Sequence, residues 1–447
     1  DDADGDDAKS EALVTYTVTP GNAFTLATHG FVLNDPSATA SLPDATEFGS
    51  PVGSAAVASA IVNAETAAET RLTSTGFPYA RKAGRDAEAD LEAETLDVVT
   101  VINTGPAAIY GPVEFRGLDR VRERYLRTYI PWGDGEPWDA RKIREFQKAL
   151  LATDLFATIT VTPPETPPGE AGPAPLPIIV EAKERPFRTV SAGAAYSTDE
   201  GPSIKGGFEH RNLFGENETL TLSAFAGLER QFFGIGYREP QYMRPGQDLI
   251  AGLKFERQEN DAFDDVSVTA GVGLERRLSP AWIVGAGLSL TASEVTDNTG
   301  TKQSYLLGVP SYAAWDVTED LLNPTSGARA RIDFTPYGGS FDSEPTGFLT
   351  IDSRASAYFD LTGEESHIFA IRGRFGSILS DDLDSVPANQ RLYAGGGGSV
   401  RGYANRFVGP LDALNDPIGG RSAIELGAEI RSKFYGDLGG VLFVEAG

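Results

Sequence analysis

Few residues in this chain could carry covalent chemistry. With no cysteine among 447 residues, thiolate nucleophiles, thiolate metal sites and disulfides are excluded together. His29, His210 and His367 are the only imidazoles; they lie far apart in sequence and none sits in a metal-ligand spacing. Gly397-Gly398-Ser399-Val400-Arg401 approaches the nucleophile elbow G-x-S-x-G but has arginine where the last glycine belongs. No P-loop or dinucleotide fingerprint occurs. Asp2, Asp4 and Asp6 alternate like the first ligands of a calcium loop, yet Asp7 stands where that loop needs glycine and no glutamate closes it. These residues predict a protein that is not an enzyme and needs neither metal nor cofactor. Acidic residues outnumber basic ones 64 to 38, a net charge of -26, so the surface repels phosphate backbones and nucleic acid is not an expected partner. What stands out is Arg391–Tyr403, RLYAGGGGSVRGY, where Arg401 follows four consecutive glycines, Gly395, Gly396, Gly397 and Gly398. Glycines let a loop backbone approach a wall closely. A guanidinium carried inward on such a loop needs a carboxylate, because an unpaired buried charge costs several kcal/mol.

The elements that must position this loop change character along the chain. Residues 1–13 are nearly all acidic or small and read as a solvated tail. From 14 to about 185, strand-like and helix-like segments alternate. Val14–Val18 reads as a strand, and 54–74 as a helix capped by Ser54, with Val57, Ile61, Ala64, Ala68 and Leu72 on one face and Gly76 ending it. Strand signals follow at 96–103. The same order returns with a strand at 113–115, a short helical stretch from Asp119, and a helix capped by Asp139 that carries Ile143, Phe146, Leu150 and Leu151. Strands at 155–162 and 176–182 complete it. Thr75-Gly76-Phe77 and Thr153-Asp154-Leu155 occupy equivalent places, which predicts two copies of one small α+β module, 14–106 and 107–185. Seven prolines between Pro163 and Pro177 read as a long hairpin loop inside the second copy.

After Pro186 only period-two alternation remains. Val266, Val268, Ala270, Val272 and Leu274 face one way and Ser267, Thr269, Gly271 and Gly273 the other; Ile424, Leu426, Ala428 and Ile430 oppose Arg421, Glu425, Glu429 and Arg431. A soluble sandwich with an apolar inside and a membrane barrel with an apolar outside share this pattern. About thirteen strands of ~9–11 residues favour the barrel, since that length crosses a bilayer where sandwich strands average ~5–6. No run of eighteen apolar residues offers a transmembrane helix.

Arg391–Tyr403 resembles the signature loop of the outer-membrane assembly superfamily that contains BamA, TamA and the two-partner secretion transporters, in which a V-R-G-[FY] tip folds into the barrel lumen. Val400, Arg401, Gly402 and Tyr403 match that tip. Asn212-Leu213-Phe214-Gly215, Asp320–Gly327 and Phe443–Gly447 look like the same family, and Gly76-Phe77-Pro78-Tyr79-Ala80 resembles its TamA branch. The resemblance covers about 14–447. It implies tandem POTRA-like domains followed by an antiparallel transmembrane β-barrel over 186–447, with about thirteen of an expected sixteen strands. It also implies that Arg401 pairs with the acid of an F-x-D-x-G strand motif, here Glu445, which departs from aspartate by a methylene. Glu429, on the polar face of the preceding strand, is a second candidate. The plainer reading, in which Glu445, Glu429 and Arg431 are solvated lumen charges, stands beside it.

The function so implied is an insertase of a Gram-negative outer membrane, its modules in the periplasm. Its partners would be unfolded outer-membrane or autotransporter clients, outer-membrane lipid, and a periplasm-spanning or inner-membrane accessory protein. A two-partner secretion pore is the rival within the superfamily, and a soluble periplasmic β-rich binding protein the rival outside it. The absence of a leader before Asp1 and an odd strand count halting at Gly447 predict a fragment that lacks about three strands and at least one N-terminal module.

Overall fold

A computed structural model describes residues 22–35, 40–164, 173–197, 201–436 and 438–447. The acidic tail and the Val14–Val18 strand lie outside the described residues. The chain divides into two compact units, one from Asp1–Gly117, Tyr129–Ala152 and Thr158–Lys183, the other from Leu118–Thr128, Thr153–Ala157 and Glu184–Gly447.

The first unit holds two small α+β repeats. In the first, β1 (Thr25–Leu33), α1 (Ala58–Thr73), β2 (Arg81–Asp90) and β3 (Thr95–Asn103) form a sheet of order β1-β3-β2, with β1 and β3 parallel. The second is built from β4 (Ala108–Arg116), α3 (Ala140–Leu151), β5 (Phe156–Thr162) and β6 (Ala174–Glu184), with order β4-β6-β5 and β4 parallel to β6, while the short α2 (Glu123–Arg127) between β4 and α3 falls in the other unit. In both sheets the last strand inserts between the first two. Ile61, Ala64, Ala68 and Leu72 of α1 are buried, as are Ile143, Phe146 and Leu150 of α3, so the period-3.6 stripes seat both helices.

Several boundaries differ from the sequence reading. α1 starts four residues after Ser54, and Val57 occupies the N-cap without a side-chain bond. Ser54 serves strand entry instead, since its carbonyl accepts from Leu26 N at 2.8 Å and its hydroxyl donates to Pro51 O at 2.7 Å. Leu151 is 45% exposed and leaves the buried face. Asp139 does cap α3, accepting from Arg141 N at 2.8 Å. β2 gave no apolar signal because almost all its residues are exposed. Gly76 (φ 104°) and Asp154 (φ 60°) both turn left-handed after their helices, which explains the equivalence of the two tripeptides.

α1 also buries an acid. Glu65, 3% exposed, accepts from Lys82 Nζ at 2.9 Å, Arg85 Nη2 at 2.5 Å and Thr100 Oγ1 at 2.9 Å. Burial opposes its charge, but bonds from Arg85, Lys82 and Thr100 prevail and hold its pKa down at about 2.

The second unit is one fourteen-stranded sheet. It comprises β7 (Arg188–Ser197), β8 (Gly201–His210), β9 (Thr219–Ala226), β10 (Arg230–Glu239), β11 (Gln247–Asn260), β12 (Phe263–Arg277) and β13 (Trp282–Asp297). It continues through β14 (Gly300–Gly308), β15 (Ser311–Asp316), β16 (Gly327–Phe341), β17 (Glu344–Asp360), β18 (His367–Leu379), β19 (Ser422–Tyr435) and β20 (Leu438–Ala446). β14 and β15 pair successive stretches of the same neighbours, β13 and β16, on either side of Val309-Pro310. They form one pass interrupted where proline offers no N–H.

The alternation separates two surfaces. Val266, Val268, Val272 and Leu274 of β12 are 37–56% exposed, whereas Asp265 and Ser267 on the opposite face are buried. Apolar side chains outside and polar ones inside is the order of a membrane barrel, not of a sandwich.

Candidate functional site

The segment between β18 and β19, residues 380–421, lies on the polar face. Asn389 Nδ2 donates to Asp265 Oδ1 of β12 at 2.9 Å, and Arg406 Nη2 donates to Gln258 Oε1 of β11 at 3.3 Å. The same loop receives Arg374 of β18 at Tyr393 O (3.3 Å) and Arg372 of β18 at Gly398 O (3.2 Å). β11 and β18 are far apart in the ladder, so one loop can touch both only if the sheet curls around it. The polar face is therefore a lumen and the loop fills part of it. Under the loop, Val386 and Leu392 pack with Leu306, Phe348 and Ile378.

At the loop tip, Glu445 of β20 receives three bonds from Arg401: Nη2 at 2.6 Å, Nε at 2.8 Å and the backbone N–H at 2.7 Å. The Glu445 side chain is 2% exposed. The guanidinium also lies 3.6 Å above the Phe443 ring, two residues earlier on the same face of β20. Glu429 of β19 stands 3.5 Å from Arg401 Nη2, but its stronger partner is Arg431, at 2.7 Å. The longer glutamate thus reaches both the side chain and the main chain of Arg401, a geometry that fixes loop register as well as charge.

Each remaining motif residue has a separate place. Val400 is 2% exposed, while Tyr403 is 60% exposed and outside the charge cluster. Gly395 (φ 112°) and Gly396 (φ 93°) are left-handed, and a Cβ on Gly395 would stand 2.6 Å from Ala404 O. Gly402 is left-handed too, at φ 93°, whereas a Cβ on Gly398 would meet open space. Gly397 lies between these positions and makes interactions of its own. The glycines serve backbone shape.

Sequence reasoning missed two arginines. Arg372 shares Glu445 with Arg401, at 2.6 Å, and donates to Ser399 O at 2.5 Å, so it clamps the loop from the wall. Arg374 bridges Asp352 (2.8 Å) and Glu425 (2.7 Å) beside Tyr393. Extending the period-two count into Ile371-Arg372-Gly373-Arg374 puts both on the lumen face, and that was the available signal.

The other motifs are turns. Asn212 Oδ1 accepts from Asn217 N at 3.0 Å, and the Gly215 carbonyl accepts from Arg122 N at 2.8 Å, where a Cβ on Gly215 would crowd Arg122 Cγ at 2.8 Å. Asp320 accepts from Leu322 N and Asn323 N, each at 2.7 Å, and Glu319 gathers Thr325 and Ser326. Of the histidines, His29 contacts Ser50 Oγ at 2.9 Å and His367 contacts Ser432 Oγ at 3.0 Å; His210 ends β8.

A curled antiparallel sheet with lipid-type residues outside and an inward loop pinned by a buried arginine pair defines the class: a transmembrane β-barrel with an occupied lumen. The Omp85 superfamily domain matches residues 212–447, more than half of the chain, and the protein belongs to that superfamily. Among its relatives is the outer membrane protein assembly factor BamA of Nitratidesulfovibrio vulgaris, 24% identical over 374 residues, covering 81% of this chain and 46% of that protein. Another is the chloroplastic outer envelope protein 80 of Arabidopsis thaliana, 26% identical over 332 residues, covering 67% and 42%. The chain thus spans less than half the length of these two relatives. The crystal structure of BamA from Haemophilus ducreyi lacking POTRA domains 1–3 has the same fold: TM-score 0.76 and 18% identity, over 88% of this chain and 82% of that one.

Proposed function

We propose that the protein is an insertase of a Gram-negative outer membrane that assists assembly of outer-membrane β-barrels or autotransporters without catalysing covalent chemistry. The observation that carries this reading is the pinning of Arg401, through both its side chain and its N–H, onto Glu445 of β20. A loop fixed to a wall strand sets the conformation of that part of the barrel, and strand pairing in the wall is what an insertase must control. The printed name of the BamA relative, an outer membrane protein assembly factor, supports it.

In this account the two α+β repeats are periplasmic POTRA-like domains. The structural likeness to BamA covers 88% of the chain, which is more than the sheet alone. In each three-stranded sheet the first two strands are edges; β1 and β4 already bond residues 53–56 and 136–138 at their starts, so β2 and β5 are the sides better placed to accept a client strand by β-augmentation. β7, rich in Ala, Ser and Gly and exposed along nearly its whole length, is the weakly packed seam strand that opens sideways to template a client hairpin. Clients, outer-membrane lipid and an accessory protein of the periplasm or inner membrane are the partners. The exposed apolar face argues against a soluble binding protein.

The test is a disulfide lock between a cysteine in β7 and one in the strand that closes against it in the full-length protein. The account expects client assembly to stop in the oxidised state and return on reduction. Assembly that proceeds unchanged in the locked barrel would sink lateral opening.

A further inference from the structure

The lumen beneath the loop tip carries more positive charge than loop docking requires. A cavity of about 430 Å³ is lined by six arginines, Arg329, Arg354, Arg372, Arg374, Arg401 and Arg431. Among the described residues these six meet four carboxylates. Asp352 takes Arg354 (3.0 Å) and Arg374 (2.8 Å), and Glu425 takes Arg374 (2.7 Å). Glu429 takes Arg431 (2.7 Å) and Arg401 (3.5 Å), and Glu445 takes Arg401 and Arg372, both at 2.6 Å. Arg329 bonds only neutral groups, the Tyr358 hydroxyl at 3.1 Å and Leu321 O at 3.5 Å. Asp316, the cross-strand partner of Arg329 on β15, bonds Thr318 instead, so the six arginines outnumber the four carboxylates paired with them by two, inside a chain of net charge -26.

The ladder shows where they converge. Arg329 of β16 and Arg372 of β18 are the direct cross-strand partners of Ser356 on β17, one on each side. Arg354 lies two residues along β17 and so shares the lumen face with Ser356. The Cβ of Ser356 is thereby flanked by three arginine Cβ atoms at ~4.5–5.5 Å and ~7 Å, so a group seated on its hydroxyl is within reach of three guanidiniums. Guanidinium forks bind planar oxygen pairs, and three around a hydroxyl match three oxygens of one tetrahedral group better than two of a carboxylate. A dianion would also match the excess of arginines over their paired carboxylates, where a monoanion would leave one charge.

We propose that this cavity is a binding site for a phosphate-type dianion, seated on Ser356 between Arg329, Arg354 and Arg372. The chemistry is shared by free phosphate and by a phosphomonoester lipid headgroup. The test titrates inorganic phosphate into the full-length protein in neutral detergent at pH 8 and low salt, by calorimetry. Saturable one-to-one binding is expected. It should weaken at least tenfold in the double variant Arg329→Gln/Arg354→Gln, weaken less in Arg329→Lys/Arg354→Lys, which keeps the charge but loses the forks, and be unchanged in Arg257→Gln, whose salt bridge is to Glu259 on β11. Heat-modifiable electrophoretic mobility checks that each barrel is folded. Displacement of phosphate by micelles containing phosphatidic acid, but not by phosphatidylcholine alone, assigns the headgroup; no displacement assigns the free ion. Absence of saturable binding, equal affinity in the glutamine double variant, or acetate binding as tightly as phosphate would overturn the proposal.

Discussion

Glu65 and Glu445 are both carboxylates at 2–3% exposure shared by two cations, yet they close very different distances in the chain. The partners of Glu65, Lys82 and Arg85, come from the next strand of the same small repeat, 17 and 20 residues away. Those of Glu445 are the wall residue Arg372, 73 residues back, and Arg401 on a loop that crosses the lumen. The first acid holds a helix on its own sheet and belongs to folding. The second holds a loop to a strand and, under the proposed function, sets the working state of the barrel. Chemically equal pairs therefore differ in consequence, according to whether the bonded elements could separate without unfolding.

Substitutions can break this contrast. The largest effect is expected from Glu65→Ala, which orphans the buried Thr100 hydroxyl and strips the part-exposed Lys82 and Arg85 of their partner, and should cost about 1–3 kcal/mol of local stability. Hydrogen exchange of α1 amides in the intact chain would read it, while the barrel's heat-modifiable mobility stays unchanged. Glu445→Ala removes the same number of cationic bonds but should leave the sheet folded; protease cleavage within 380–421 should rise about tenfold as the tip is released. Loss of the folded barrel in that variant would erase the distinction.

A smaller effect comes from pH. The pKa of Glu65 lies at about 2 against an ordinary 4.5. A depressed carboxylate stabilises fully above the ordinary value and loses its contribution as pH falls toward the folded value, so α1 protection should drop between about pH 4.5 and 2. Glu65→Gln should flatten that window. His29, whose pKa burial lowers from 6.5, acts earlier. It favours the fold above pH 6.5 and withdraws that support on acidification below it. His29→Gln should remove that upper segment alone.

How readable these two acids were in the sequence follows from their surroundings. The Arg401 motif and its Glu445 partner came from a resemblance, while alternation alone put Glu429 on the polar face. Glu65 sits beside Ala64 on an apolar stripe, and a stripe count sees alanine and isoleucine but not an acid neutralised by residues of a strand that itself looks like loop. β2 is invisible for the same reason, being polar along its length. Ser54 was misread as a cap because propensity cannot show that its carbonyl is engaged by Leu26. The barrel passes were readable because one exposed apolar face repeats every two residues. The interruption at Pro310 left no trace in that period. Gly76 and Phe77, the start of the stretch resembling the TamA branch, are explained by a left-handed turn and a residue only 9% exposed, which any such repeat needs.

The central claim is that the Arg401–Glu445 pair sets the working state of the barrel, and a charge swap in the full-length protein tests it most directly. Reconstituted into liposomes with an unfolded barrel client, Arg401→Glu alone should lose most assembly, and Arg401→Glu/Glu445→Arg should recover a substantial part of it. Full assembly by the single variant, or no recovery in a folded double variant, would contradict the account.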